Sequence, residues 1–261
     1  NYSVAVTAPG FLPDVVLLMG AMHDTYNVTT GYFLHSNPGF ATRGSGQGSL
    51  NFFSDNDPSY ILTARKNSVS GMYAARPADW GYGVEITDFN PTGFSAYLRG
   101  TEFSSPVTKR VYLALAFHGT EQYWAGLINS PTSTGDTSVT APGFKPQFVL
   151  QLPSFSSSAD IDRSTTSSGA GSWSVSAFTA TDAFSMGMAD EDHVPVTHTQ
   201  SLEDSKPVNF TSGDGVPSHV ATFKSFDAVG WTLNYSLANP VLRKWPVLAI
   251  GENGSSGCNH V

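Results

Sequence analysis

Apolar and polar residues alternate along most of this chain. Phe94, Ala96 and Leu98 alternate with Ser95, Tyr97 and Arg99. Trp231, Leu233, Tyr235 and Leu237 alternate with Thr232, Asn234 and Ser236. Trp173, Val175 and Ala177 alternate with serines, and Phe184, Met186 and Met188 with Ser185, Gly187 and Ala189. Period two sends successive side chains to opposite faces of a strand, so each run predicts one face in a core and the other in water. No stretch combines a 3.6-residue apolar period with a cap, so no helix is predicted. Val15 to Met19 and Val111 to Phe117 are apolar throughout and predict central strands covered on both faces.

The chain repeats itself. Val6-Thr7-Ala8-Pro9-Gly10-Phe11-Leu12-Pro13-Asp14-Val15-Val16-Leu17 returns as Val139-Thr140-Ala141-Pro142-Gly143-Phe144-Lys145-Pro146-Gln147-Phe148-Val149-Leu150. Phe89 to Phe94 matches Phe226 to Trp231, and Leu113-Ala114-Leu115 matches Leu248-Ala249-Ile250. The offsets are 133, 137 and 135 residues, so register holds through the unit. A period this long implies two tandem domains rather than a solenoid, whose repeats run to roughly 20–50 residues. We place them at residues 1–119 and 120–261, joined by a linker over His118 to Gln122. The expected fold is all-β: two tandem antiparallel β-sandwich, jelly-roll-like domains related by internal duplication.

Turn chemistry supports that outline. Pro9-Gly10 and Pro142-Gly143 predict tight turns, and Pro13 and Pro146 bar a mid-sheet position there. Asn90-Pro91-Thr92-Gly93 and Asp227-Ala228-Val229-Gly230 predict hairpins, with Asn or Asp capping the turn and Gly supplying a positive φ. Tyr26–Gly48 and Ser154–Ser174 read as insertions, the latter as a Ser/Thr/Gly-rich loop with no apolar period. The expected core is Phe11, Val16, Leu17, Phe89, Phe94, Leu113 and Leu115, with Phe144, Val149, Leu150, Phe226, Trp231, Leu248 and Ile250 as counterparts.

Composition narrows the function. Charged residues are only 13% of the chain, so Ser, Thr, Asn and Gly must cover the surface, as on extracellular and virion proteins. A net charge of -8 and isolated basic pairs (Arg65-Lys66, Lys109-Arg110, Arg243-Lys244) argue against nucleic-acid binding. The single cysteine, Cys258, excludes an internal disulfide. No apolar run reaches the roughly 20 residues of a membrane helix. The chain opens on Asn1 rather than Met, as a processed chain would, which says nothing of a leader.

Catalytic motifs are missing. Gly44-Ser45-Gly46-Gln47-Gly48 lacks the Lys and helix of a phosphate loop. His193 and His198 straddle Pro195 and lack the helical spacing of a metal pair. Acidic corners occur in both halves, Asp55-Asn56-Asp57 and Asp190-Glu191-Asp192. Asp55, Asp57, Asp190 and Asp192 are candidate Ca²⁺ ligands, since that ion takes roughly six to eight oxygens. The commoner role of such residues is a solvated corner, and paired carboxylates for glycoside hydrolysis would need a cleft that nothing marks. Trp80-Gly81-Tyr82-Gly83 is the best candidate sugar platform, because glycines beside Trp80 and Tyr82 leave rings accessible; core packing is the usual fate of such rings.

The pattern Val-x-x-Pro-Gly-Phe-x-Pro-x-x-Val-Leu, a Ser/Gly loop, the Phe-(Asn/Asp)-x-x-Gly-(Phe/Trp) hairpin and a closing Leu-Ala strand resembles β-rich repeat domains of tailed-bacteriophage structural proteins. The resemblance spans roughly residues 1–117 and 124–251. It implies a non-enzymatic component of the virion surface, a head-decoration or spike protein, partnered by copies of itself and by the major capsid protein. The alternative is a tail-fibre, receptor-binding or carbohydrate-binding module that engages host-surface glycan. Neither nucleic acid, membrane nor a cofactor is expected, Ca²⁺ at the acidic corners excepted.

Overall fold

A computed structural model describes residues 2–23, 33–36, 38–55, 61–67, 72–76, 80–100, 109–119, 122–154, 165–166, 170–191, 199–211 and 216–251. All regular structure among them is β-strand, and every pairing is antiparallel. The strands form four sheets.

Sheet A orders β1 (Tyr2–Val6), β9 (Gly93–Gly100), β8 (Trp80–Asn90) and β7 (Met72–Arg76). Sheet B orders β10 (Lys109–Phe117), β2 (Val15–His23), β4 (Gly39–Thr42), β5 (Gly46–Asp55), β6 (Ile61–Asn67) and β14 (Thr165–Thr166), with β3 (Phe33–Ser36) also on β5. Sheet C orders β11 (Gln122–Asn129), β21 (Lys244–Gly251), β13 (Pro146–Gln151), β15 (Ala170–Phe178), β16 (Ala183–Glu191) and β17 (Thr199–Glu203). Sheet D orders β12 (Gly135–Val139), β20 (Gly230–Leu237), β19 (Pro217–Asp227) and β18 (Val208–Thr211).

The sheets stack as four layers, because three apolar clusters lie between them. Val16, Leu18 and Ala41 of sheet B meet Val84, Ile86, Phe94 and Ala96 of sheet A. Val149, Phe178, Trp245 and Val247 of sheet C meet Phe210, Ala221, Trp231 and Leu233 of sheet D. The third cluster joins the halves: Val15, Phe40 and Leu50 of sheet B pack on Ala125, Leu152, Trp173 and Leu248. Adjacent Val15 and Val16 are both fully buried and serve different clusters, so the start of β2 is covered on both faces, as its apolar run predicts, while Met19 at the end of that run is 55% exposed.

Corresponding segments make corresponding contacts. β1 pairs with β9 and β12 with β20, setting Val6 opposite Phe94 and Val139 opposite Trp231. Gly10 (φ 72°) and Gly143 (φ 76°) each donate to the carbonyl three residues back, at 3.2 Å, closing the expected turns. The hairpin glycines have a different reason from the one expected. Gly93 and Gly230 do not adopt positive φ. A Cβ at Gly93 would lie 1.9 Å from the Val6 carbonyl oxygen, and at Gly230 1.7 Å from that of Val139, so close backbone approach requires glycine. Asn90 Oδ1 caps its turn, accepting from Thr92 N at 3.2 Å, whereas Asp227 accepts from Ser225 and Thr232 hydroxyls across its hairpin.

Three expectations are corrected. The serines of β15 do not face water: Ser172, Ser174 and Ser176 are fully buried, as is Ser185 on β16, while Phe184 and Met186 are partly exposed. Alternation marks two different faces, but in a middle layer of a stack neither face is obliged to be wet. Val111 to Phe117 is not a central strand: among the described strands β10 lies at the edge of sheet B, and Leu115, expected in the core, and Phe117 are each 46% exposed. The supposed insertions carry sheet structure: 26–48 includes β3, β4 and the start of β5, and β14, together with the start of β15, falls within 154–174. Through β14, the second half also adds two residues to sheet B, opposite Leu62 and Ile61.

Candidate functional site

The sequence-nominated residues are scattered over several strands. Asp55 closes β5 and Asp190 lies on β16 opposite Gly171; β5 and β16 hold corresponding places, fourth from β10 and from β21. Asp57 and Asp192 lie outside the described residues, as do His193 and His198. Among the described residues, no three His, Cys, Asp or Glu side chains come together as a metal site. Trp80 and Tyr82 begin β8, opposite Arg76 and Ala74; their side chains lie outside those described.

The structure assembles a polar cluster that sequence reasoning missed, at the junction of the halves. Pro13 ends the corner and sets Asp14 just before β2. Asp14 is buried, yet its carboxylate meets four donor groups. Oδ1 accepts from Arg43 Nε at 2.9 Å and from Arg43 Nη2; Oδ2 accepts from His118 Nδ1 at 2.8 Å and Gly119 N at 3.2 Å. Asp14 N donates to Phe117 O and Arg43 N to Asp14 O, both at 2.8 Å. Desolvation pushes its pKa up, but the bonds from Arg43, Gly119 and His118 outweigh it and hold the carboxyl below its usual value. A carboxylate so fully engaged fixes the linker to the corner and to the β4–β5 turn. The repeat could not have revealed it, since Gln147 stands at the matching place and is exposed.

A second polar feature lies inside the C/D sandwich. His219 is fully buried; its Nε2 donates to Pro131 O at 3.2 Å, its Nδ1 lies 3.1 Å from Ser218 Oγ, and its ring stands edge-on to Trp245. Burial pulls its pKa down to about 4; the Pro131 bond opposes this and nearby Arg243 adds to it. Further along sheet C, Gln151, Ser176 and Ser185 form one cross-strand row, and their buried side-chain polar atoms have no hydrogen-bond partner among the described residues.

Apolar recesses flank the edge of β10. One, about 290 Å³, is lined by Val6, Pro9, Phe11, Phe94, Leu115 and Ala116. The other, about 200 Å³ and between sheets B and C, is lined by Leu17, Met19, Leu115, Leu150, Leu152 and Val175, among others. Phe117 and Met19 beside them are 46% and 55% exposed. Comparison with known proteins finds no matching family model, no matching curated protein and no matching solved structure.

Proposed function

We propose that this chain is a non-enzymatic structural protein of a virus particle, a capsid decoration or spike protein of a tailed phage that assembles with copies of itself and with the shell protein beneath it. The observation that carries the reading is the four-layer stack. Two sandwiches packed back to back through Val15, Phe40, Leu50, Trp173 and Leu248 make a stiff block. Apolar surface is left open at a sheet edge, where Leu115, Phe117 and Met19 stand out. A low-charge, Ser/Thr-rich exterior and the resemblance of the repeated motif to phage structural domains support the same reading. Its place would be the particle surface.

The alternative of a tail-fibre or glycan-binding module would use Trp80 and Tyr82. Their side chains lie outside those described, so no observation favours it. The test is recovery: antibody raised to the chain should label intact particles in electron micrographs, and the chain should sediment with them. A chain found only free in the lysate, with unlabelled particles, would sink the proposal.

A further inference from the structure

The Gly44-Ser45-Gly46-Gln47-Gly48 segment, which lacks phosphate-loop chemistry, joins β4 to β5, and with Arg43 this turn makes hydrogen bonds in three directions. Toward sheet C, Ala125 N donates to Ser45 Oγ at 3.1 Å. Toward sheet A, Gln47 Nε2 donates to Ile86 O at 3.1 Å, and Ile86 N donates to Gln47 Oε1 at 3.0 Å. Toward the linker, Arg43 holds Asp14, which also holds His118 and Gly119. One turn thus touches the far layer of the first half, the linker and the first strand of sheet C.

Both outer contacts meet backbone that a neighbouring strand leaves to be satisfied. β7 runs along β8 as far as Val84, so Ile86 lies past its end, and the Gln47 amide makes both bonds that a strand would make. Among the described strands β11 pairs with β21 alone, and Ser45 takes the Ala125 N–H. The hydroxyls within the turn run in one direction. Thr42 Oγ1 donates to Gly46 O at 3.0 Å, so its single proton is engaged and the bond between the two hydroxyls runs from Ser45 to Thr42. Ala125 N, Ser45, Thr42 and Gly46 O form one chain of donors, and Gln47 follows Gly46 directly. Gly44 at φ 93° and Gly46 at φ 125° give the turn little steric preference, so these bonds set its shape. The matching turn of the second half, Thr179 to Asp182, closes on itself. Thr179 N donates to Asp182 O at 2.7 Å, and Thr179 Oγ1 accepts from Thr181 N and Asp182 N. Ala183 stands opposite Phe178 where Gln47 stands opposite Ala41, and an Ala side chain cannot reach the facing sheet.

We propose that the β4–β5 turn is a clasp that opens and closes as a unit, coupling the order of β8 in sheet A to the seating of β11 at the junction of the halves. The bond that Ser45 makes to the second half and the two that Gln47 makes to sheet A depend on one turn shape, so losing either set loosens the other. A change at β8, in the outer layer of the first half, is thereby felt at the junction, and a change at the junction is felt at β8. The clasp is independent of where the protein resides, which the labelling of particles decides separately.

Amide exchange of the intact chain, followed residue by residue by NMR, reads both ends of the clasp. Ser45→Ala removes the acceptor of Ala125 N, and should also speed exchange at Ile86 by about two- to tenfold, the span of one lost hydrogen bond. Gln47→Ala should speed exchange at Ile86 and, by the same factor, at Ala125, because coupling between two sites is reciprocal. Val149 and Leu233, on inner strands of sheets C and D, should keep their wild-type rates in both variants. Distant amides that do not respond, or a response in one direction only, overturn the proposal and leave two separate contacts. Equal acceleration at Val149 and Leu233 overturns it as well, since the substitutions would then loosen the whole chain rather than a clasp.

Discussion

Asp14 accepts a hydrogen bond from His118 Nδ1 at 2.8 Å, across 104 residues of chain. The same carboxylate holds Arg43, so one buried residue ties corner, turn and linker together. Asp14→Ala should destabilise the protein by about 1–3 kcal/mol, toward the modest end because Arg43 and His118 are half exposed and regain water. Its lowered pKa fixes the sign with pH: the contribution is present above the ordinary carboxylate range and lost as pH falls through the depressed value. Urea melts of wild type and variant should therefore differ at pH 7 and converge in strong acid. A gap that persists or widens in acid would refute the carboxylate's role.

Glycines that look alike in sequence should respond differently. Gly10 is held at φ 72°, and a Cβ there would meet nothing within 4 Å, so Gly10→Asn, which tolerates that backbone, should be nearly neutral. Gly93→Asn and Gly230→Asn should each cost about 2–3 kcal/mol, since a Cβ collides with the carbonyl of Val6 or Val139. Thermal melts of the three variants check this. Equal losses at Gly10 and Gly93 would mean that backbone angle, not close approach, governs the hairpins.

His219 makes the C/D sandwich acid-sensitive. Its pKa of about 4 lies below the ordinary 6.5, so the unfolded chain takes up a proton that the folded chain refuses. Stability is full above about pH 6.5, falls as pH drops from there toward 4, and loses roughly 3 kcal/mol through this group. His219→Gln keeps an N–H for the Pro131 carbonyl and cannot titrate. The stability difference between wild type and this variant should shrink by that amount between pH 7 and pH 4; a difference independent of pH would show that His219 titrates normally.

Much of the fold was legible because period two is a local property. The alternation of Phe94 and Ala96 and the unbroken run from Val15 need only a strand's geometry to be read. Ser172, Ser174 and Ser176 misled for the complementary reason: polarity says which face differs, while burial depends on what another layer covers. The junction was illegible because Asp14, Arg43 and His118 are far apart in sequence and Asp14 has Gln147 as its counterpart.

Gln151 and Leu18 hold matching places, each one residue beyond the repeated segment and each buried inside its sandwich. Leu18 packs in the A/B cluster. The Gln151 amide, in a row with the Ser176 and Ser185 hydroxyls, has neither oxygen nor nitrogen hydrogen-bonded among the described residues. A buried amide without a partner costs about 1–3 kcal/mol, and Met has similar volume with no such demand. Gln151→Met should therefore raise stability by about 1–2 kcal/mol, and Leu18→Gln should lower it by at least as much. Calorimetric melts of both variants decide it. A loss on Gln151→Met would show that the row is satisfied after all, through waters bound between sheets C and D, and those waters would then be found bridging Gln151, Ser176 and Ser185 in a high-resolution crystal structure.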